Sequence, residues 1–312
     1  MKKQKQFKNA IFAGECMIEI SGDISSLCSS NIDMKVNFGG DTFNSAVYFS
    51  RLCKNNFKTF YFTAIGNDKF SDMMMKRFEF ENLDTSLIKK IENKYPGLYS
   101  IHTDKSGDRS FSYWRNNSAA KFMLNQFNDK KMNNFFKECE LFYYSGISSS
   151  ILEEKYKKKL IQLASQAKIT AFDFNFRKNL HSNLEKVRKS FIEINELVNV
   201  NFVSFDDIID IFGQTDPFEF VKNISRPNNI ILLRLQDHII YSYYGTVGRV
   251  NLPIITAKDK TAAGDSFNGS FLATETYGRH MKIESKILKS HELTREVIKY
   301  KGAIIPKSKM PY

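Results

Sequence analysis

Asp259-Lys260-Thr261-Ala262-Ala263-Gly264-Asp265-Ser266-Phe267-Asn268-Gly269 is the stretch on which the reading of this chain turns, and a helical pattern, Ser270–Thr276, follows it directly. Small residues entering a helix leave backbone N–H groups free to point at an anion, and the helix dipole favours negative charge there. A carboxylate at the same spot would repel a phosphate unless it had a separate task. Asp265 has one if it orients and deprotonates an attacking hydroxyl. Phosphoryl transfer needs mainly positioning and charge stabilisation, so an ordinary Asp suffices as the base. Read alone, Gly264-Asp265 is a helix cap without chemistry; the whole run argues against that alternative.

Upstream of this run, short apolar strands alternate with helical segments, which predicts a mostly parallel, helix-flanked sheet. The strand candidates are Ile11–Ala13, Phe60–Ile65, Leu141–Tyr144, Ile169–Phe174, Phe202–Phe205 and Ile230–Leu235. Helices are expected over Phe43–Leu52, Phe70–Glu81, Leu152–Ala167 and Leu184–Val198. No repeat, low-complexity tract or long linker interrupts the order, so residues 1–312 read as one domain.

The chain has 312 residues, 42% hydrophobic and 26% charged, which suits a large α/β core and not a disordered segment. No apolar stretch approaches the roughly 20 residues that cross a bilayer. Lys2, Lys3, Lys5 and Lys8 precede an apolar run that Gly14-Glu15 interrupts, so this start reads as a strand and not as a signal peptide. Cys16, Cys28, Cys53 and Cys139 are scattered, with no CxxC and no His at metal spacing. That argues against a zinc site or a disulfide framework and fits a reducing cytoplasm. A net charge of +12 could recruit nucleic acid or an anionic substrate. The lysines are dispersed, and Lys130-Lys131 and Lys155–Lys159 read as solvated helix faces, so neither nucleic acid nor a membrane is an expected partner.

Three further segments carry polar side chains where a ligand could sit. In Asn37-Phe38-Gly39-Gly40-Asp41-Thr42-Phe43-Asn44 a glycine pair before a helix lets backbone approach a ligand, and Asp41 and Asn44 can meet hydroxyl groups. A plain helix-entry turn is the alternative. In Asp173-Phe174-Asn175-Phe176-Arg177, alternate residues project to one side if the chain stays extended past the strand's carboxyl end. Leu98–Thr103 and Ser110–Trp114 flank the turn Ser106-Gly107-Asp108 and read as a β-hairpin. Tyr113 and Arg115 share a face of that hairpin, with Tyr99 on the partner strand, an arrangement suited to a small anionic, hydroxylated ligand. A half-buried hairpin with a surface Arg is the other reading.

Together these segments resemble the ribokinase-like (PfkB) carbohydrate kinases. The resemblance implies a three-layer α/β/α fold with a mostly parallel central sheet and a small β lid, its elements near residues 14–38 and 96–118. It also implies ATP and Mg²⁺, with Asp265 as catalytic base and Ala262, Ala263 and Gly264 as the anion hole. Gly40, Asp41, Thr42, Phe43 and Asn44 would hold the sugar, and Arg177 its carboxylate or the transferring phosphate. Asn175, Ser204 and Arg234 would face the nucleotide, and Asp207 would reach magnesium through water. Tyr95-Pro96-Gly97-Leu98-Tyr99, Tyr113-Trp114-Arg115-Asn116, Ala119-Ala120-Lys121-Phe122, Tyr144-Ser145-Gly146-Ile147-Ser148 and the tail Tyr300–Pro306 look like the branch that phosphorylates 2-dehydro-3-deoxy-D-gluconate. By that likeness Tyr99, Tyr113, Arg115 and Arg177 hold an acid sugar, in a cytoplasmic homodimer or larger homo-oligomer. A substrate carboxylate would give Arg115 a partner that a neutral sugar would not.

Two departures fall on the nucleotide half. In Leu233-Arg234-Leu235-Gln236-Asp237-His238, Leu235 stands where the family has a glycine that lets the nucleotide approach, and the connection from Val250 to Asp259 looks short. Ile208 also follows Asp206-Asp207 where an acidic residue is common. Harmless drift is one reading. Weakened ATP affinity, in a protein that binds an acid sugar without turnover, is the other.

Overall fold

Strands that read as unbroken apolar runs do so when both of their faces are covered, and the central strands of this chain are covered on both sides. A computed structural model describes residues 7–22, 34–103, 109–125, 135–213, 215–254, 256–278 and 280–312. The turn Ser106-Gly107-Asp108, Cys28, Lys2, Lys3, Lys5, Lys130-Lys131 and part of the expected lid element 14–38 lie outside the described residues.

Among the described residues the strands are β1 (Lys8–Ala13), β2 (Met17–Ser21), β3 (Lys35–Gly39), β4 (Phe57–Ile65), β5 (Leu83–Asp84), β6 (Ile88–Lys90), β7 (Leu98–Thr103) and β8 (Arg109–Trp114). They continue with β9 (Cys139–Ser145), β10 (Ile169–Asp173), β11 (Val200–Ser204), β12 (Ile230–Arg234), β13 (His238–Tyr243) and β14 (Thr246–Asn251). The helices are α1 (Asp41–Cys53), α2 (Lys69–Phe80), α3 (Gly146–Ser150), α4 (Glu154–Ala164) and α5 (Leu184–Leu197). After them come α6 (Phe205–Phe212), α7 (Pro217–Ile224), α8 (Ala263–Tyr277) and α9 (Ile283–Val297).

The large sheet runs β14-β13-β12-β11-β10-β9-β1-β4-β5, with β6 also beside β4. Its pairs are parallel except at β12–β13 and β13–β14. Ala10, Phe12, Leu141, Tyr143, Phe202 and Leu232 face one layer, where they meet Phe43 and Phe49 of α1 and Phe267 and Phe271 of α8. Their neighbours Ile11, Phe142, Phe172, Val203 and Ile231 face the other, with Leu160 of α4 and Phe191 of α5. The expected mostly parallel three-layer α/β/α architecture is therefore present. β1 pairs with β4 on one side and β9 on the other, so chain order reverses there. Open α/β sheets hold ligands outside the strands' carboxyl ends at such a point.

A second, smaller sheet has the order β3-β2-β7-β8, and the expected hairpin is its β7–β8 pair, with Tyr99 directly opposite Tyr113. Two expected boundaries move. Phe205 begins α6 instead of ending a strand, because the Ser204 hydroxyl and the Asp207 side chain cap the helix reciprocally. The strand expected to reach Phe174 stops at Asp173, and Asn175 then takes a left-handed backbone, with φ 37°. Among the described residues no helix is long and apolar enough to cross a membrane.

The contact that positions the site is between α1 and α8, and Gly269 permits it. A Cβ there would stand 2.5 Å from the Ser45 carbonyl oxygen and 3.1 Å from the Phe49 nitrogen, both helix backbone. We expect Gly269→Ala to force the helices apart and to lower unfolding free energy by about 1–3 kcal/mol, measured by urea denaturation.

Candidate active site

Three carboxylates from three elements converge outside the carboxyl ends of the strands. Asp41 opens α1, Asp173 ends β10 and Asp265 lies in the first turn of α8. Each is held by an amide. Asn44 Nδ2 donates to Asp265 Oδ2 at 2.8 Å, Asn175 Nδ2 to Asp41 Oδ2 at 2.8 Å, and Asn268 Nδ2 to Asp173 Oδ2 at 2.8 Å. Arg234 closes the group, with Nη2 3.3 Å from Asp173 Oδ1 and Nη1 2.5 Å from Asn268 Oδ1.

Burial, with the neighbouring acids adding to it, makes Asp173 and Asp265 hard to ionise. Asp265 is pushed up to about 7, mainly by burial and then by Asp41, while the Asn44 hydrogen bond and Arg234 act against the rise. Asp173 is raised to about 6 by burial, opposed most by Arg234. A carboxyl poised near neutrality can take a proton from a hydroxyl and release it again, which is what a general base requires.

The start of α8 supplies donors beside this base. Ala262 is its N-cap, held left-handed with φ 59°. Ala263 N–H is spent on the Lys260 carbonyl at 3.2 Å, so of the three residues expected to form the anion hole, Gly264 and not Ala263 offers its N–H, together with that of Asp265. The turn is braced from behind. Asp259, buried, accepts from Thr261 N–H at 2.8 Å and from Gly302 N–H at 2.7 Å. Arg234 Nη1 lies 3.3 Å from the Gly264 carbonyl oxygen, beneath the turn.

A cleft of about 730 Å³ joins these groups to the small sheet. Of the sequence-predicted residues it brings together Gly40, Asp41, Asn44, Tyr99, Tyr113, Arg115, Asn175, Arg177, Arg234, Ala262, Ala263, Gly264 and Asp265. Four expected residues sit elsewhere. Thr42 and Phe43 are fully buried and turned into the core, Thr42 against the Tyr61 hydroxyl and Phe43 edge-on to Tyr61 and Phe78. They lie between the cleft-lining positions 41 and 44 on a helix, where only one face can meet a ligand. Ser204 and Asp207 are spent on the α6 cap, and Asp207 also accepts from Phe176 N–H at 3.0 Å. Neither lines the cleft.

Two other expectations are revised. The segment after Asp173 is not extended; the left-handed turn at Asn175, and not strand alternation, delivers Asn175 and Arg177 to the cleft. Arg115 does not wait for a ligand to be paired, because it forms an ion pair with buried Glu15. Glu15 itself went unread, as did Phe111, Lys260 and Asn179 of the lining. Phe111 was findable, since it precedes Tyr113 by two on the same strand face; Glu15 looked only like a strand end. Leu235 packs, partly buried, against the layer that holds Ile231 and Leu233, and does not line the cleft.

The chain belongs to the pfkB family of carbohydrate kinases, whose model matches residues 8–310. It is 36% identical over 318 residues to the 2-dehydro-3-deoxygluconokinase of Escherichia coli, covering 97% of this chain and 99% of that protein. It is 33% identical to the 2-dehydro-3-deoxygluconokinase of Dickeya dadantii, again over 97% of this chain and 99% of the other. Among solved structures it is similar to the 2-dehydro-3-deoxygluconokinase of Thermotoga maritima, with a TM-score of 0.80, 17% identity and coverage of 97% and 96%. It is similar also to a fructokinase with bound ATP from Xylella fastidiosa, with a TM-score of 0.78, 19% identity and coverage of 98% and 96%. The last two share the fold.

A carboxyl whose pKa is raised on folding lends stability below its unfolded value, near 4 for Asp, and that stability is lost as pH climbs through the folded value. For Asp265 that window runs from about 4 to about 7. Asp265→Asn, which mimics the protonated form and keeps an acceptor for Asn44, is expected to match wild type near pH 4. Near pH 8 it should be more stable by on the order of 2 kcal/mol, compared by urea denaturation without ligands.

Proposed function

We propose that this carbohydrate kinase phosphorylates 2-dehydro-3-deoxy-D-gluconate with ATP to give 2-dehydro-3-deoxy-6-phospho-D-gluconate. The observation that carries the chemistry is Asp265, held by Asn44 at the donor-rich start of α8, with its pKa near 7. The substrate rests on the relatives at 33–36% identity over nearly the whole chain, and on a cleft whose lining includes Tyr99, Tyr113, Arg115 and Arg177 beside the three acids.

In this reading Asp265 takes the proton of the terminal hydroxyl, whose oxygen attacks the γ-phosphorus of ATP as the bond to ADP breaks. The negative charge spread over the transferring group meets the N–H groups of Gly264 and Asp265 and the guanidinium groups of Arg177 and Arg234, donors fixed in place before reaction. Asp41 and Asn44 hold sugar hydroxyls, and Arg115 faces the sugar's carboxylate. Lys260 and Thr261 flank the path of the nucleotide. The small sheet acts as a lid over the sugar, and exposed Val36 and Trp114, on its face away from Phe111 and Tyr113, offer apolar contacts for pairing with a second copy.

Magnesium belongs with the nucleotide. Among the described residues no group of three or more His, Cys, Asp or Glu could hold a metal ion, and both Asp207 oxygens are engaged, one by Ser204 N–H in the helix cap and the other by Phe176 N–H. With Leu235 packed against a core layer, the reading of a sugar-binding protein without turnover keeps only the short connection from Val250 to Asp259 in its favour. A cytoplasmic site of action follows from the need for ATP.

Release of ADP from MgATP in the presence of this sugar tests the proposal. Wild-type protein should turn over, and Asp265→Ala should lose on the order of a thousandfold in kcat; folded wild-type protein without turnover at saturating substrates would sink the reading. The profile of kcat/KM against pH should also fall on the acid side with an apparent pKa of about 7, a value that belongs to the coupled carboxylates as a set.

A further inference from the structure

Four stretches of chain cross between the large and the small sheet, and all four meet at Glu15. Residues 14–16 join β1 to β2, Gly40 follows β3, residues 91–97 lead into β7, and residues 115–118 leave β8. A Cβ on Gly40 would strike the Glu15 carbonyl oxygen, and one on Gly97 would stand 2.7 Å from Glu15 Oε1. On the fourth stretch, Arg115 is ion-paired with Glu15 Oε2, and Ser118 N–H donates to the Arg115 carbonyl at 3.2 Å.

Glu15 is 2% exposed, and the Arg115 side chain 10%. The Arg115 and Ser118 side chains both lie against the Glu15 carboxylate, and Arg115 Nε is buried without a hydrogen bond. The pair thus anchors Arg115, a residue that lines the cleft, with donor capacity left over at Nε. An arginine stem alone has many rotamers; a buried carboxylate at the junction of both sheets removes that freedom. It also cancels much of the guanidinium charge. A carboxylate entering the cleft can complete the donor set, whereas a hydroxyl offers a much weaker acceptor.

We propose that Glu15 is a positioning residue for substrate selection: its carboxylate fixes the Arg115 guanidinium at the cleft, so that recognition of the acid group of the sugar depends on the pair. The inference rests on the reading of the cleft as an acid-sugar site. It makes Glu15, at the root of the small sheet, part of what separates acid from neutral sugars.

The test is the KM for 2-dehydro-3-deoxy-D-gluconate at saturating MgATP in wild type, Glu15→Gln, Arg115→Gln and the double variant, with a thermal melt of each. Glu15→Gln should raise KM roughly tenfold, the loss of about one charge-assisted contact, with kcat within about threefold. In the Arg115→Gln background the same change should add less than about twofold, because the carboxylate acts through the guanidinium. Effects that multiply in the double variant, or an unmoved KM in folded Glu15→Gln, overturn the inference. If Glu15→Gln does not fold because it strands a buried cation, the double variant decides against Arg115→Gln: an equal KM supports the inference and a higher one overturns it. Wild-type protein with no turnover of this sugar overturns the functional reading and this inference together; wild-type turnover with an unmoved KM overturns this inference alone.

Discussion

The close approach of α1 and α8 is the contact on which the cleft depends. Gly269 lets the two backbones meet, and one turn further along both helices Asn44 reaches Asp265. Because the amide and the carboxylate belong to helices that touch through backbone, their separation is set by packing and not by side-chain choice. The Asp41 carboxylate, one turn before Asn44, comes with them. Rigid helices converging at their N-termini place acids where the helix dipoles favour negative charge, and in this way Asp41 and Asp265 are tolerated.

The third, Asp173, arrives on a strand and needs a cation. Arg234 supplies it from the end of β12, while also bonding Asn268 and the Gly264 carbonyl. One guanidinium therefore touches the strand-borne acid, the helix bearing the base and the turn that offers backbone donors. Such concentration of charge is unfavourable for folding and useful for chemistry, the usual balance between stability and activity at a functional site. The remainder of the molecule, two apolar layers on either side of a long sheet, provides the surplus that lets the acids stay buried.

Much of this was readable from residue order. Strands such as Leu141–Tyr144 and Ile230–Leu235 announce a doubly covered sheet because each alternate residue has its own layer to enter, and Ala262–Asp265 announces a donor-rich helix start through its lack of bulk. The misses share one physical cause: a residue's type does not say where its backbone turns. Asn175 enters the left-handed region and redirects everything after Asp173. Asp207 looks like a metal contact until its partner in the cap is seen. Thr42 and Phe43 belong to the core because a helix has only one face toward the cleft. Glu15 was hidden most completely, since its partners lie on segments brought together only by the second sheet.

The topology also has a temporal side. Asn44 and Asp265 are separated by 221 residues, and the apolar face of α1 that carries Phe43 and Phe49 shares its layer with Phe267 and Phe271 of α8. A ribosome releases the chain from its amino end, so α1 is made long before the helix that shields it. Until α8 emerges, part of that face has no native cover, and long-range pairings of this kind are slow to close. The newly made protein thus spends most of its synthesis with an aromatic surface open to chaperones or to other nascent chains.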